Sequence, residues 1–375
     1  MVQAHPPQTG DDDKIQFTCN RTYKHWITPQ NASIFDTMHN GELIRPIFIV
    51  GSERSGTTLL RLMLHAHPRI AIPPQTKYVK KLYKRRLLFG NLAGEKNRQE
   101  LARWLHSHFD GSTKLDDLEI DPETVRSAVL EASSLGEALA QPFIAYAAKH
   151  DKPRWGDKRP YYIKYLSKLR MLFPGAQIIH LIRDCRDVVA SLKHMPWWKN
   201  DATYSILNWM EAIDKGLHAR QTTRLDEYLE LRYEDLVQEP ERELQRICQF
   251  LSESYTPKML QFSDVARYAV PDYKMAWHAA TIQSLNRNSV ERWKSELSSE
   301  EVSLIEWSCE KELEAMGYSL SGSAAPLKSA RSAFRFAAWS YRLRRATVNM
   351  VDSFISLIYR GEMSYRKGSE TGSNV

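Results

Sequence analysis

Apolar and polar positions divide the chain into alternating segments of two periodicities. Continuous apolar runs at Ile47–Val50 and Ile178–Ile182 have the length of buried parallel strands, and residues 229–237 are interpreted as a third strand. Between these runs, apolar residues recur at helical spacing. The alternation predicts an α/β fold, a doubly wound parallel sheet flanked by helices, in which ligands bind beyond the carboxyl ends of the strands.

The segments around this alternation differ in composition. Residues 1–40 are polar and are interpreted as an N-terminal arm, while 41–320 form the main domain. Within that domain, residues 97–150 have a helical pattern throughout and are interpreted as an insertion that covers one edge of the sheet. Residues 321–375 form a basic C-terminal extension.

This extension has the pattern of an amphipathic basic helix. Its apolar positions follow alternating steps of three and four residues: Leu327, Ala330, Phe334, Ala337, Tyr341, Val348, Val351, Ile355 and Ile358. Basic residues flank the stripe, and Asp352 is the sole acid before Glu362. Such a helix can pack on its own domain, pair with its copy in a homodimer through residues 326–360, or lie on an anionic membrane.

A second group of cations occupies one face of a helix predicted at about 77–88. These residues are Lys77, Lys80, Lys81, Lys84 and Arg85. They form either a solvated surface or a cationic wall beside an acceptor cleft or a membrane.

The segment after the first strand has the chemistry of a phosphate cradle. Gly51 and Gly56 bracket a tight loop, and a helix is predicted from Thr57. A loop that enters a helix directs several backbone N–H groups to one point, where the helix dipole adds positive potential. The spacing is that of a P-loop up to Gly56, but a nucleotide hydrolase has Lys at the next position. Here the positive charge lies within the loop, at Arg54.

The second apolar run also leads into anion-binding chemistry. A Walker B strand ends in an Asp that is available to a metal, whereas the first polar residue after this run is Arg183, with Ser191 eight residues later. A guanidinium fork and a hydroxyl donor together suit a dianionic phosphate. The structural alternative for Arg183 is a salt bridge that caps the next helix.

Arg54-Ser55-Gly56-Thr57-Thr58-Leu59-Leu60 resembles the 5′-phosphosulfate loop of sulfotransferases that use 3′-phosphoadenosine 5′-phosphosulfate (PAPS). The Arg form is similar to tyrosylprotein sulfotransferases and many bacterial relatives. The resemblance covers roughly residues 44–320 and implies a P-loop-type sheet. It also implies in-line transfer of a sulfuryl group from PAPS to an acceptor hydroxyl, phenol or amine, with no metal ion, because a sulfuryl group carries one negative charge.

The resemblance implies a role for each matching residue. Arg54 would hold the bridging region and the leaving phosphate, and Lys158 matches a lysine placed on the sulfate. The loop residues that would bind the 5′-phosphate are Ser55, Gly56, Thr57 and Thr58. The residues that would bind the 3′-phosphate are Arg183 and Ser191.

Two further positions match family segments near the nucleotide. Tyr233, in Tyr-Glu-Asp-Leu-Val, is either a nucleotide contact or a buried link between strand and helix. Arg292 belongs to segment 286–293, which resembles a late loop that closes over the adenosine.

The general base is where the sequence departs from the family. Relatives of the Arg-loop form have a Glu at the position of Gln75, and a neutral amide cannot accept a proton. Asp157 and His67 are then the first candidates for the base, with His65 behind them. An amine or an acidic phenol as acceptor would relax the demand, and Gln75 would then orient the acceptor through hydrogen bonds.

Composition and charge indicate the ligands and the cellular compartment that we expect for this chemistry. The net charge of +7 suits anionic ligands, but it is too diffuse to indicate nucleic acid. The four cysteines have no metal-site spacing, and no apolar run reaches the length of a membrane span. We therefore expect a cytoplasmic enzyme, with or without peripheral membrane contact.

Two other functions are compatible with the same residues. One is a P-loop kinase or hydrolase, which Thr57 and Arg183 argue against. The other is a non-catalytic nucleotide-binding protein that docks at membranes through its C-terminal helix, which Gln75 keeps open. The sequence does not specify the acceptor or the oligomeric state.

Overall fold

The computed structural model describes residues 45–365, apart from 197, 199–200, 272 and 274–286. Within these residues lies one five-stranded sheet in which all paired strands are parallel and the order is β2-β3-β1-β4-β5. The strands are β1 (Ile47–Gly51), β2 (Ile70–Ala71), β3 (Arg154–Lys158), β4 (Gln177–Ile182) and β5 (Tyr228–Arg232). The predicted N-terminal arm lies outside the described residues.

Helices cover the connections between the strands. The first half of the described chain contains α1 (Thr57–His65), α2 (Tyr78–Lys84), α3 (Arg86–Phe89), α4 (Glu95–Ser107), α5 (Pro122–Leu130), α6 (Leu135–Lys149) and α7 (Leu166–Leu172). The second half contains α8 (Cys185–Lys193), α9 (Ala202–Thr222), α10 (Tyr233–Gln238), α11 (Pro240–Leu251), α12 (Phe262–Ala269), α13 (Trp293–Glu296), α14 (Ser299–Ala315) and α15 (Lys328–Ile358). Short 3₁₀ turns lie at Asp116–Leu118, Pro160–Tyr165, Pro257–Leu260 and Arg287–Ser289.

Both faces of the sheet are buried, which is why its central strands are continuously apolar. Side chains alternate along β1, so that Ile47 and Ile49 pack on the side of α1, α11 and α12. Phe48 and Val50 pack on the opposite side, with α4, α6 and α7. The predicted doubly wound α/β fold is confirmed.

The sequence patterns did not predict two strands of the sheet, β2 and β3. β2 has only two residues, and β3 reads Arg-Trp-Gly-Asp-Lys, which has neither an apolar run nor a clean alternation. β3 is nevertheless buried along its whole length, because it lies between β1 and β2. The predicted strand at 229–237 was too long: β5 ends at Arg232, and Tyr233 begins α10.

The strand order creates a crevice between β1 and β4. The chain leaves β1 toward β2 at one edge of the sheet and leaves β4 toward β5 at the other edge. The loops that follow β1 and β4 therefore diverge, and the gap between them is the place where α/β sheets bind ligands.

The long helix α15 packs on α9 through the N-terminal half of the stripe that the sequence predicted. Phe334 is buried among residues of α9 and α14, and Tyr341 and Arg345 both bond to Glu211 of α9. Among the described residues, no helix is both long enough and apolar enough to cross a membrane.

Candidate functional site

The loop between β1 and α1 is held in shape by its own residues. Ser52 and Ser55 share a hydrogen bond of 2.6 Å between their hydroxyl oxygens. Gly56 caps α1 in the left-handed region, with φ 86°. A side chain at position 56 would also collide with a neighbour, since a Cβ there would lie 2.2 Å from the ring of Tyr233. Loop geometry and the approach of α10 thus both require glycine.

Arg54 joins this loop to the segment after β4. Its Nε donates to Ser191 Oγ of α8 over 2.9 Å, and its backbone oxygen accepts from a terminal nitrogen of Arg183 over 3.1 Å. Arg54 itself has a positive φ of 68°, a conformation that these contacts stabilise. The two predicted anion-binding motifs, far apart in sequence, therefore meet in the β1–β4 crevice.

The crevice concentrates positive charge. Burial, together with the nearby charges of Arg183 and Arg292, lowers the pKa of Arg54 to about 10. Arg54 still carries its charge at neutral pH, so three guanidinium groups act on one another in this region. An anion there would relieve their mutual repulsion.

The late loop at 287–293 lies against Arg183. A terminal nitrogen of Arg183 donates to the backbone oxygen of Ser289, while Ser289 Oγ and the hydroxyl of Tyr233 are 2.6 Å apart. The Arg183 guanidinium lies 4.6 Å from the centre of the Tyr233 ring. Tyr233 thus connects α10, the late loop and the loop between β1 and α1 (residues 52–56), which we call the phosphate loop. Both interpretations of Tyr233 from the sequence, nucleotide neighbour and structural link, fit this position.

Arg183 also satisfies a direct test of fit for a phosphate. Its Nε is buried and has no hydrogen-bond partner among the described residues. A buried donor without a partner is costly, and a phosphate oxygen would satisfy it. The second arginine of the late loop, Arg292, is instead bonded to Glu296 one helical turn ahead.

Lys158 projects from the carboxyl end of β3 toward the phosphate loop. Its Nζ donates to Gln75 Oε1 over 3.0 Å and to Thr58 Oγ1 over 3.3 Å. At these two contacts the lysine is bonded to a neutral amide and to a hydroxyl. Gln75 orients Lys158 and cannot itself accept a proton.

The candidates for the general base lie in different parts of the fold. Asp157 is fully buried next to Lys158, and its Oδ2 accepts from the hydroxyl of Tyr162 over 2.7 Å. Burial raises the pKa of Asp157, against the opposing effect of that hydrogen bond. His67 lies beyond the far end of α1 and contacts the backbone oxygen of Ser254. The structure therefore does not bring His67 to the loop.

His65 is equally remote from the loop. It is the last residue of α1, and its Nδ1 accepts from the backbone N–H of Ile72 over 3.1 Å. Burial is the main reason that the pKa of His65 is held near 2, so the ring is neutral.

Sequence reasoning missed a polar network that supports the loop. Asn208 of α9 donates to Glu53 Oε2 over 2.6 Å and accepts from Lys164 over 2.6 Å. Lys164 in turn donates to Glu211 and to the hydroxyl of Tyr341 on α15, over 2.7 Å in each case. Asn208, Lys164 and Glu211 belong to no local motif. Their only sequence signal is a polar side chain within an otherwise apolar helical pattern.

A second missed residue is Asp187. Its two carboxylate oxygens accept from the backbone N–H groups of Glu291 and Trp293, over 2.9 and 3.0 Å. This clamp fixes the late loop against α8. A sequence signal exists here, because Asp187 lies one helical turn after Arg183, and the structure places their charged groups 3.7 Å apart.

Fold and site together define a P-loop-like α/β protein whose crevice suits the phosphates of a nucleotide. The family is identified by comparison: residues 46–257, more than half of the chain, match the model described as the sulfotransferase family. The chain belongs to this family and is a sulfotransferase by that membership.

Several similar proteins are named as protein-tyrosine sulfotransferases. A putative protein-tyrosine sulfotransferase of Caenorhabditis briggsae is 26% identical over 66% of this chain and 80% of its own length. Protein-tyrosine sulfotransferase of Drosophila melanogaster is 26% identical over 72% of this chain. The chain spans 51% of the Drosophila protein and 51% of protein-tyrosine sulfotransferase A of Caenorhabditis elegans, about half of each.

Solved structures support the fold. The sulfotransferase domain of the Synechococcus PCC 7002 olefin synthase has a TM-score of 0.52 and 24% identity, covering 75% of this chain and 98% of that domain. The sulfotransferase domain of the curacin biosynthetic pathway has a TM-score of 0.51 and 22% identity, covering 74% of this chain and 99% of that domain. The described residues thus share the fold of these domains.

Replacing Gly56 by Ala tests the geometry of the loop. The substitution should lower the free energy of unfolding by about 1–3 kcal/mol, because alanine is strained in the left-handed backbone and its Cβ would collide with the Tyr233 ring. Binding of 3′-phosphoadenosine 5′-phosphate should also weaken. Urea unfolding and calorimetry measure the two effects. Gly111→Ala is the control, because a Cβ there meets no atom within 4 Å; equal behaviour of the two variants would contradict the proposed geometry.

Proposed function

We propose that the chain binds PAPS in the β1–β4 crevice and transfers its sulfuryl group to the hydroxyl of an acceptor. The observation that supports this most directly is the meeting of Arg54 with Arg183 and Ser191. It places loop amides and guanidinium groups on both sides of one crevice, as a ligand with phosphates at two ends requires. Bound PAPS supplies an activated sulfur whose bond to the 5′-phosphate oxygen breaks as the acceptor oxygen attacks.

The residues of the crevice divide the charge between them. The loop amides with Arg54 stabilise the negative charge that builds on the leaving 5′-phosphate. Lys158 stabilises the sulfuryl oxygens, and Arg183 with Ser191 holds the 3′-phosphate. Preorganised donors of this kind are usually the largest catalytic contribution in group transfer. The proposal includes no metal ion, because cationic side chains perform the neutralisation.

We place the general base at Asp157, reached through Tyr162. Tyr162 is hydrogen-bonded to Asp157, and burial raises the pKa of that carboxyl. The acceptor proton passes to the tyrosine oxygen while the tyrosine proton passes to Asp157, so the new S–O bond forms without a free alkoxide. This pair takes over the role that Gln75 cannot perform.

Arg183→Ala tests the nucleotide site. Loss of a charge-assisted pair should weaken binding of 3′-phosphoadenosine 5′-phosphate by roughly 10- to 100-fold. Calorimetry with and without magnesium, and with ATP as the competing ligand, measures this. Arg224→Ala, an exposed arginine paired with Asp226, is the matched control. A wild-type preference for ATP with magnesium, or no binding of either nucleotide, would overturn the proposal in favour of a kinase or a shared architecture alone.

Tyr162→Phe tests the proton path. We expect transfer to slow by roughly 100-fold, since general-base catalysis commonly contributes at least that much. Nucleotide binding should not change. The wild-type rate should rise with pH as Asp157, whose pKa lies above its usual range, loses its proton, and this limb should disappear in Asp157→Asn. Tyr228→Phe is the control, because its hydroxyl also donates to a carboxylate, that of Glu230, but Tyr228 begins β5 and so lies away from the carboxyl ends of the strands. A pH profile that is unchanged in Asp157→Asn would exclude this base.

We further propose that α15 contacts a membrane peripherally. Besides the face packed on α9, this helix has a second apolar face whose residues are each more than half exposed: Phe336, Trp339, Leu343, Met350, Phe354 and Leu357. They recur at steps of three, four and seven, so they form one stripe along the helix.

Charge favours an anionic membrane over a second copy of the chain. Arg335 and Arg342 lie on one side of the exposed stripe and Arg344 on the other, while the single acid of α15, Asp352, is paired with Arg86. A second copy would bring the same cations together, whereas anionic headgroups would neutralise them.

Trp339→Ser tests this contact by co-sedimentation with vesicles. The wild-type protein should bind vesicles of phosphatidylglycerol and phosphatidylcholine, bind vesicles of phosphatidylcholine alone more weakly, and dissociate in high salt. Trp339→Ser should bind several-fold less. Leu225→Ser, at an apolar residue that is 91% exposed outside α15, should not differ from wild type. A concentration-dependent dimer that Trp339→Ser abolishes would instead assign this face to self-association.

A further inference from the structure

A cavity of about 340 Å³ lies against the C-terminal half of α15. Its walls come from α2, the 3₁₀ turn at Pro160–Tyr165 and α7, and Val348, Val351 and Ile355 of α15 form its roof. Aliphatic side chains and tyrosine rings dominate the lining. The volume falls in the lower range of sites that hold small molecules.

Polar clamps hold the roof on both sides of the cavity. Toward its N-terminal end, α15 is fixed by Tyr341 and Arg345, which bond to Glu211. Toward its C-terminal end, Asp352 pairs with Arg86 over 3.0 Å and with Lys168. The segment between the clamps spans the cavity without filling it. An apolar ligand that packed there would remove this apolar surface from water.

The cavity has a cationic wall. Lys80 and Lys84 of α2 line it, and no carboxylate of the described residues lies within ion-pair distance of either. Lys80 lies 4.1 Å above the ring of Tyr161, and burial lowers the pKa of this lysine to about 8, as do Arg159 and Lys84. Asp352, which also lines the cavity, is already shared by Arg86 and Lys168. An anionic group is the ligand chemistry that this wall favours.

A hydrogen bond and a charge interaction connect the cavity wall to the catalytic edge of the sheet. Tyr162 lines the cavity, and its hydroxyl bonds to Asp157, which precedes Lys158. Lys80 is near enough to Glu53 of the phosphate loop for the two charges to interact. The end of the cavity at Lys80 therefore lies toward the transfer chemistry, and the end under Val351 and Ile355 lies away from it.

We propose that this cavity binds the acceptor, and that the acceptor is an anionic amphiphile. Its apolar chain would lie under α15, its anionic group beside Lys80 and Lys84, and its hydroxyl at the proton path through Tyr162. The proposal rests on the sulfuryl transfer proposed above. In the transfer, the acceptor oxygen forms a bond to sulfur, the bond from sulfur to the 5′-phosphate breaks with its electron pair leaving on the phosphate, and the acceptor proton passes to Asp157 through Tyr162.

The test uses 1-lauroyl lysophosphatidylglycerol below its micellar concentration, since it combines a chain, an anionic phosphate and free hydroxyls. Calorimetry measures its binding to the full chain, with 1-lauroyl lysophosphatidylcholine, whose headgroup is zwitterionic and has no net charge, as the comparison. Transfer of radiolabelled sulfate from PAPS to the lipid measures its use as an acceptor. We expect binding of the anionic lipid to exceed that of the zwitterionic one at least tenfold.

Two variants and a control locate the site. Val348→Trp fills the cavity from its roof and should weaken binding of the anionic lipid at least tenfold. Lys80→Gln should bring the anionic lipid to the affinity of the zwitterionic one. Asn349→Trp adds the same indole at the next position, which is exposed and does not line the cavity, and should bind like wild type. All three should bind 3′-phosphoadenosine 5′-phosphate within twofold of wild type.

The outcomes separate this inference from the proposed function. If the nucleotide binds and the lipid does not, or if the lipid binds equally to Val348→Trp, the cavity is not the acceptor site. If a tyrosine-containing peptide displaces the lipid and accepts sulfate from PAPS, the site binds a polypeptide acceptor instead. Failure to bind the nucleotide, with intact lipid binding, would overturn the sulfotransferase mechanism and leave a lipid site.

Discussion

The contact between the backbone of Arg54 and the side chain of Arg183 is the interaction on which the crevice depends. It joins the loops that leave β1 and β4 in opposite directions, and Ser191 strengthens the link from the other side. Several cations are thereby held close to one another. Such an arrangement raises the free energy of the empty site, and the polyanionic ligand of the proposed function would lower it.

The surrounding structure keeps this charged loop in one conformation. On one side, the ring of Tyr233 occupies the space that a side chain at Gly56 would need. On the other, Asn208 and Lys164 connect Glu53 to Glu211 and through it to α15. The C-terminal helix is thus part of the same polar network as the phosphate loop, and the cavity lies beside that network.

Sequence patterns predicted the central strands β1 and β4 and the two motifs that follow them, because those features are local. A buried strand such as Ile47–Val50 is recognised by its continuous run of apolar residues. A glycine loop before a helix is recognised by the spacing of its glycines. β3 was missed because its residues are mostly polar and its burial comes entirely from neighbouring strands. His67 is close to the loop in sequence, yet α1 carries it to the opposite end of the helix.

By itself, the sequence determined the class of the fold, the phosphate loop with its unusual arginine, and the amphipathic character of α15, since each depends on neighbours within a few residues. Tertiary structure alone decided which of these groups meet. It brought Arg183 to Arg54, gave Lys158 an amide partner in Gln75, and placed Tyr162 on Asp157. It also left an apolar stripe of α15 exposed and a cavity against the C-terminal half of the same helix. These outcomes depend on strand order and helix packing, which no local pattern specifies.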